Sequence, residues 1–373
     1  MAGIYIHIPF CKQACHYCNF HFSTQLNNKE PLLNALHNEL LLRKSYIENQ
    51  PINTIYFGGG TPSLLSENEL GKIVDAVFAN FEISKNAEIT LEANPDDLSK
   101  EKLHELKNVG INRLSIGVQS FIERDLKEMN RAHNVNEAES SVKRSQDVGF
   151  ENITIDLMYG LPHLTNEEWT QNVQTAIDLH VPHISSYCLT IEEKTALHHF
   201  VSKGKTIMVD DSTTEQQFLQ LIQMLTANGF EHYEISNFAK EGYISKHNSA
   251  YWLGEHYLGL GPSAHSFNGI NRSWNVANNA KYINAINNNE AFFEEEILSP
   301  ENKYNEYILT RLRTKWGVNL GDVERNFSEF YHHFITETEK LLSKGWIQQH
   351  EEIFTLSAKG KLFADKAAME LFV

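Results

Sequence analysis

The stretch GIYIHIPFCKQACHYC, residues 3–18, runs a β-branched segment straight into a loop that holds three of the chain's four cysteines. Residues 3–8 read as a strand, because β-branched side chains suit a pleated, half-buried surface. The same order, a short apolar strand and then an amphipathic stretch, recurs along the chain, with further strands expected at 53–57, 87–93, 112–118, 152–159 and 183–189. Two of the intervening helices open on capping boxes, Ser66 with Glu69 and Thr165 with Glu168, where a side-chain oxygen and a carboxylate satisfy amides left free at a helix start. Repeated β-then-α order implies a parallel sheet. Six such units fall short of a closed eight-unit barrel, so the expectation is an α/β fold, a partial six-unit (β/α) barrel of TIM type with its chemistry at the C-terminal ends of the strands. The conspicuous residues lie at those ends: Cys11, Cys15 and Cys18 after the first strand, Gly58, Gly59, Gly60 and Thr61 after the second, Glu92 ending the third, Gln119 after the fourth and Asp156 late in the fifth.

Near residues 193–211 the pattern changes. Helices are expected at 214–228, 301–314 and 328–344 and across AKGKLFADKAAMELF, with two short strands in WIQQHEEIFTLS. Helices followed by a hairpin resemble a winged-helix module, so the chain divides into a barrel domain, 1–210, and a C-terminal mixed α/β, winged-helix-like domain, 211–373.

Lys and Arg number 32 against 48 Asp and Glu, a formal charge of −16 that repels phosphate backbones and anionic lipid. Nucleic acid is thereby set aside as a partner, and the winged-helix-like module is read as a packing or partner surface. The start MAGIYIHIPF lacks the basic and apolar regions of a signal peptide, and no run of about 18 uncharged apolar residues occurs, so a cytoplasmic protein without an integral membrane segment is expected.

In a reducing compartment, cysteines this closely spaced hold a metal or do redox chemistry more often than they form structural disulfides. The spacing C-x3-C-x2-C lets one loop present three thiolates, the standard ligands of iron–sulfur centres. A [4Fe–4S] cluster with three protein ligands leaves one iron open to the amino and carboxylate groups of S-adenosylmethionine, and an electron from the reduced cluster can split the sulfonium C–S bond. Zinc is the competing reading, with His7, His16 or His21 as fourth ligand. Context favours the cluster: no second ligand pair at knuckle spacing lies nearby, whereas a glycine-rich loop and a carboxylate follow on neighbouring strands. The loop GGGTP offers bare backbone that a ligand can approach closely, although a lone GGG is usually a tight turn. Glu92 suits ribose hydroxyls or, more blandly, a solvated rim. Cys188, inside an apolar strand, is read as core.

The cysteine loop after IYIHIPF, then FGGGTP, TLEANP, RLSIGVQSF, MNRAH, IDLMYGLP and KHNSAYW, in this order, resemble the radical S-adenosylmethionine proteins of the oxygen-independent coproporphyrinogen III oxidase group, and within it the heme-chaperone branch. The resemblance implies that Cys11, Cys15 and Cys18 ligate the cluster, that Tyr5 and Tyr17 flank S-adenosylmethionine, that Gly59, Gly60 and Thr61 contact it, and that Glu92, Gln119, Arg131 and Asp156 complete its site. It also implies heme on HNSAYW, residues 247–252, with His247 on the iron and Tyr251 and Trp252 over the porphyrin. His256 and His265 are fallback ligands, and Lys246 or Arg272 could meet the propionates. The implied function is a chaperone that binds one heme and passes it to an acceptor hemoprotein, with a respiratory acceptor and a homodimer as candidates. The oxidase activity is the alternative. Two departures from the oxidase pattern speak against it: Phe20 stands where the oxidase has a further cysteine, and Tyr5 is only the fifth residue, leaving no leader segment.

Overall fold

The computed structural model describes residues 2–48 and 50–373. The six expected strands form β1 (Ala2–Ile8), β2 (Ile52–Gly59), β3 (Ile83–Ala93), β4 (Arg113–Gln119), β5 (Asn152–Tyr159) and β6 (His183–Cys188). Each pairs in parallel with the next, and both expected capping boxes form. A strand's side chains alternate between faces. Ile4, Ile6 and Ile8 of β1 are buried in the same core as Leu32, Leu36 and Leu70 of the surrounding helices.

The other face departs from the usual parallel sheet, whose strands read apolar on both sides. Inward positions carry Tyr5 and His7, Thr54 and Tyr56, Glu88 and Glu92, Arg113 and Ser115, and Thr154 and Asp156, tied by side-chain contacts along β1 and between neighbouring strands. The barrel interior is therefore a polar channel, and its polar groups need partners or a ligand because burying them unpaired is costly.

The sheet does not end at the barrel. β7 (Glu231–Glu234) and β8 (Asn237–Ala239) form a hairpin, and β8 runs antiparallel to β6. At the opposite edge β9 (His256–Leu260) pairs in parallel with β1, followed by the antiparallel strands β10 (His265–Phe267), β11 (Asn271–Asn275) and β12 (Phe293–Ile297). The result is one 12-stranded sheet in the order β12-β11-β10-β9-β1-β2-β3-β4-β5-β6-β8-β7, continuous across residue 210. A second apolar core, with Tyr304, Ile308, Phe334, Leu341, Phe354 and Leu371, is built by the helices Pro300–Leu312, Tyr331–Ser343 and Ala364–Glu370 around the small sheet of β13 (Val318–Asn319), β14 (Ile347–His350) and β15 (Ile353–Leu356). Among the described residues no helix is long and apolar enough to cross a membrane.

Candidate functional site at the mouth of the barrel

The GGGTP loop clamps the cysteine loop. Gly60 donates its amide to Ile8 and Thr61 donates to Phe10, at 2.9 and 2.7 Å, so two strand ends are fixed side by side. A Cβ on Gly60 would come within 2.7 Å of the Phe10 carbonyl oxygen, and Gly59 holds φ +108° against the His7 ring, which is why glycine stands at both places. Thr61 Oγ1 donates to Cys11 Sγ at 3.5 Å, and Arg131 Nη1 donates to Cys15 Sγ at 3.3 Å and to the Tyr17 hydroxyl at 3.4 Å. Arg131 Nη2 is fixed by the Asn94 side chain and the Gly117 carbonyl, while its Nε is buried without a partner.

The three cysteines are free and partly exposed on one loop. Among the described residues no three His, Cys, Asp or Glu side chains converge into a preformed single-ion site. The donor set, three thiols with a cation and a hydroxyl already directed at two of the sulfurs, suits the thiolate ligation of an iron–sulfur cluster. Burial raises the Cys11 thiol to about 11, opposed by the Thr61 hydrogen bond. Of the histidines the zinc alternative would use, His7 has both ring nitrogens engaged, Nε2–H donating to the His21 carbonyl and Nδ1 accepting from Tyr5, whereas His21 and His16 each engage one, Nε2 with Asn279 and Nδ1 with the Glu128 carbonyl.

Below the loop, Glu92 accepts from the Tyr56 hydroxyl at 2.8 Å and the Gly59 amide at 3.2 Å. Burial, opposed by the Tyr56 bond and reinforced by nearby Asp156, raises its carboxyl to about 7. Burial likewise raises Asp156 to about 6. Gln119 sits at φ +68°, a strained backbone for a side chain of its size, and shares the space over Gly117 with Arg131. Tyr17, Gly59, Gly60, Thr61, Gln119 and Arg131 thus lie at or beyond the C-terminal ends of the strands, with Glu92 near the end of β3 and Tyr5 and Asp156 deeper, midway along β1 and β5.

The HNSAYW segment is a helix, Lys246–Trp252, and it is lodged in the other end of the same channel rather than in a separate module. Glu88 accepts the backbone amides of Lys246 and His247, both at 3.1 Å, and lies 3.9 Å from buried Arg113. His247 is 2% exposed. Its Nδ1 bonds Thr54 at 2.8 Å, its Nε2 bonds the Tyr251 hydroxyl at 2.9 Å, and its ring stacks on Tyr56 at 4.9 Å. As folded here, neither imidazole nitrogen is free for a metal. Burial lowers its pKa to about 3, so the ring is neutral. Trp252 is partly exposed under the Arg313 guanidinium, 5.7 Å from the ring centroid, and Lys246 Nζ donates to the Asn86 carbonyl. Thr54, Glu88 and Arg113 escaped the motif reading. Their signal is the polar residue at every second position of strands expected to be buried on both faces.

Residues 5–176 match the radical SAM superfamily, and residues 298–363 match the HemN C-terminal domain. The coproporphyrinogen III oxidase HemN from Escherichia coli has the same fold, with a TM-score of 0.86 over 100% of this chain and 90% of that one at 21% identity. A cysteine loop, a glycine clamp and a polar six-strand channel under such a match define a radical SAM protein. More narrowly, the chain is 36% identical to the heme chaperone HemW of Bacillus subtilis over 98% of both chains, and 40% identical to HemW of Escherichia coli over 70% of this chain and 69% of that one. It belongs to the HemW family.

Proposed function

We propose that the chain binds one heme beside its HNSAYW segment and hands it to an acceptor hemoprotein, a respiratory one among the candidates, while Cys11, Cys15 and Cys18 hold a [4Fe–4S] cluster. When bound, that cluster supplies one electron at low potential to S-adenosylmethionine on its open iron. The chain's own residues bind and orient. Arg131, with an unpartnered Nε beside the loop, suits the carboxylate of S-adenosylmethionine, and Glu92 suits the ribose hydroxyls. Tyr5 and Tyr56, raised by burial and by Glu92, keep their hydroxyl protons and act as donors in the channel. The reading includes a cytoplasmic location and a homodimer as candidate assembly.

The observation that supports heme transfer over decarboxylation is the full-length likeness to proteins named heme chaperones, against 21% identity to the oxidase. Phe20 agrees with it: 71% exposed two residues past Cys18, it offers no thiol at the channel mouth. The test is anaerobic reconstitution followed by parallel assays. Saturable heme binding, delivery of that heme to an apo-hemoprotein and no protoporphyrinogen IX from coproporphyrinogen III are expected; repeated turnover of coproporphyrinogen would replace the reading with the oxidase.

A further inference from the structure

Iron needs an imidazole nitrogen with an open lone pair, and His247 has none. Of the histidines on the strands that follow, His256 accepts from the Gln50 amide at Nδ1, which leaves the ring proton on Nε2, packed against Gly269. His265 is exposed and has no hydrogen-bond partner among the described residues. From this contrast and the face around it we infer that heme docks on the sheet face of β9, β10 and β11, with His265 as its iron contact. The inference rests on the heme-chaperone reading and specifies its site.

Residues opposite one another in a ladder share a face. Phe267 lies opposite Tyr257 and Arg272, and His265 lies opposite Trp274, so rings from three adjacent strands stand on one side of the sheet. At about 4.8 Å between strands they span roughly 10 Å, the breadth of a flat macrocycle. The rings are continuous with HNSAYW: Tyr251 meets Tyr257 edge-on at 4.6 Å, Tyr257 lies 6.2 Å from Phe267, and His265 lies 6.4 Å from Trp274. Tyr251, Tyr257, Phe267 and Trp274 are partly exposed.

Arg272 supplies the cation. Its guanidinium sits 5.7 Å over the Phe267 ring and is held by Glu306 through two contacts of 2.9 Å, yet its Nε is shielded from water and has no partner. A propionate accepting from that N–H would satisfy it. Glu294 and Glu296 continue the face on β12 opposite Trp274 and Arg272, and their charge turns the ligand's carboxylates inward, toward Arg272. Partial desolvation by the neighbouring rings and the nearby Arg272 charge hold the His265 pKa below its ordinary value, which favours the neutral ring that can donate a lone pair to iron.

Full-length protein titrated with hemin and with metal-free protoporphyrin IX separates the iron contact from the ring face. His265→Ala is expected to shift the Soret band, to raise the hemin Kd by about tenfold, an effect of about 1.4 kcal/mol, to leave the metal-free Kd unchanged and to recover the band on addition of imidazole. Trp274→Leu is expected to weaken both porphyrins by a similar factor, and His247→Ala to keep the wild-type band. A wild-type Soret band and hemin Kd in His265→Ala would overturn the inference and leave the chaperone reading standing. Failure of the wild type to bind hemin saturably would overturn both.

Discussion

At the C-terminal mouth of the channel, the cysteine loop and the glycine clamp are each made of neighbours in sequence, and the buried Arg131 Nε beside them is left without a protein partner. At the opposite end, His247 is tied to Thr54 across 193 positions and its helix start to Glu88 across 159, and both of its ring nitrogens are satisfied. The first end is built to receive something, and the second is built to stay closed. A motif can therefore hold a residue for its packing: His247 anchors the HNSAYW helix in the channel, which leaves Tyr251 and Trp252 at its partly exposed far end. The two ends still touch, because Tyr56 stacks on His247 and donates to Glu92, so occupancy at the mouth is one hydrogen bond away from the plug.

The largest expected effect tests whether the mouth works alone. Cys15→Ser should remove most of the roughly four irons taken up on anaerobic reconstitution, whereas His247→Ala should retain them. Iron and acid-labile sulfide counts decide it, and equal loss in both variants would erase the distinction between the two ends. Full zinc occupancy under iron-replete anaerobic conditions would overturn the cluster itself.

Next comes the charge stored at the mouth. The Glu92 carboxyl titrates near 4.5 when unfolded and at about 7 in the folded chain. Between those values the folded state holds the extra proton, so stability contributed by this site is present at low pH and is lost as pH rises toward 7. At roughly 1.4 kcal/mol per pKa unit the loss approaches 3 kcal/mol, less whatever solvent in the channel screens. Glu92→Gln cannot ionise, so its stability relative to the wild type should climb across that window in urea titrations at several pH values. A difference that does not change with pH would mean that the carboxylate is freely hydrated.

How much of this was legible in the sequence follows from the same contrast. The six parallel strands were placed to within a few residues because each is a β-branched run long enough to declare itself, and the helices Pro300–Leu312 and Tyr331–Ser343 were equally plain. Residues 256–275 were not, since β9 to β11 are three to five residues long and owe their existence to partners far away, β9 to β1 above all. Cys11, Cys15, Cys18, Gly60 and Thr61 could be read because loop chemistry is local. Glu88 and Arg113 could not, because what marks them is each other: a carboxylate and a guanidinium on adjacent inward positions, buried and paired.

At the closed end, removal of the plug should cost stability rather than color. His247→Ala deletes a buried ring with two hydrogen bonds and a stacked neighbour, an expected loss of about 2–3 kcal/mol. Denaturant unfolding measures it; a loss below about 0.5 kcal/mol, the range of ordinary surface changes, would show that the helix does not depend on this anchor.

The smallest effect sharpens the comparison furthest. Thr54→Val keeps the shape of the side chain and removes only the hydroxyl that bonds His247 Nδ1 at 2.8 Å. With Glu88 still capping the helix start and Tyr251 still on Nε2, the plug should stay seated, and the cost should be about 1 kcal/mol, the worth of one buried neutral hydrogen bond. The ring is neutral, so it carries one proton on one nitrogen, and the two hydroxyls decide which. Loss of the Thr54 hydroxyl leaves Nδ1 buried without an acceptor for a proton, which drives the proton to Nε2, where the Tyr251 oxygen accepts it. Long-range proton–nitrogen correlation spectra of histidine-labelled protein should accordingly show a single Nε2–H tautomer in Thr54→Val. A persistent Nδ1–H signal, or an imidazole that now titrates near its ordinary value, would mean that His247 had left the channel, and the closed end would have to be described as a gate.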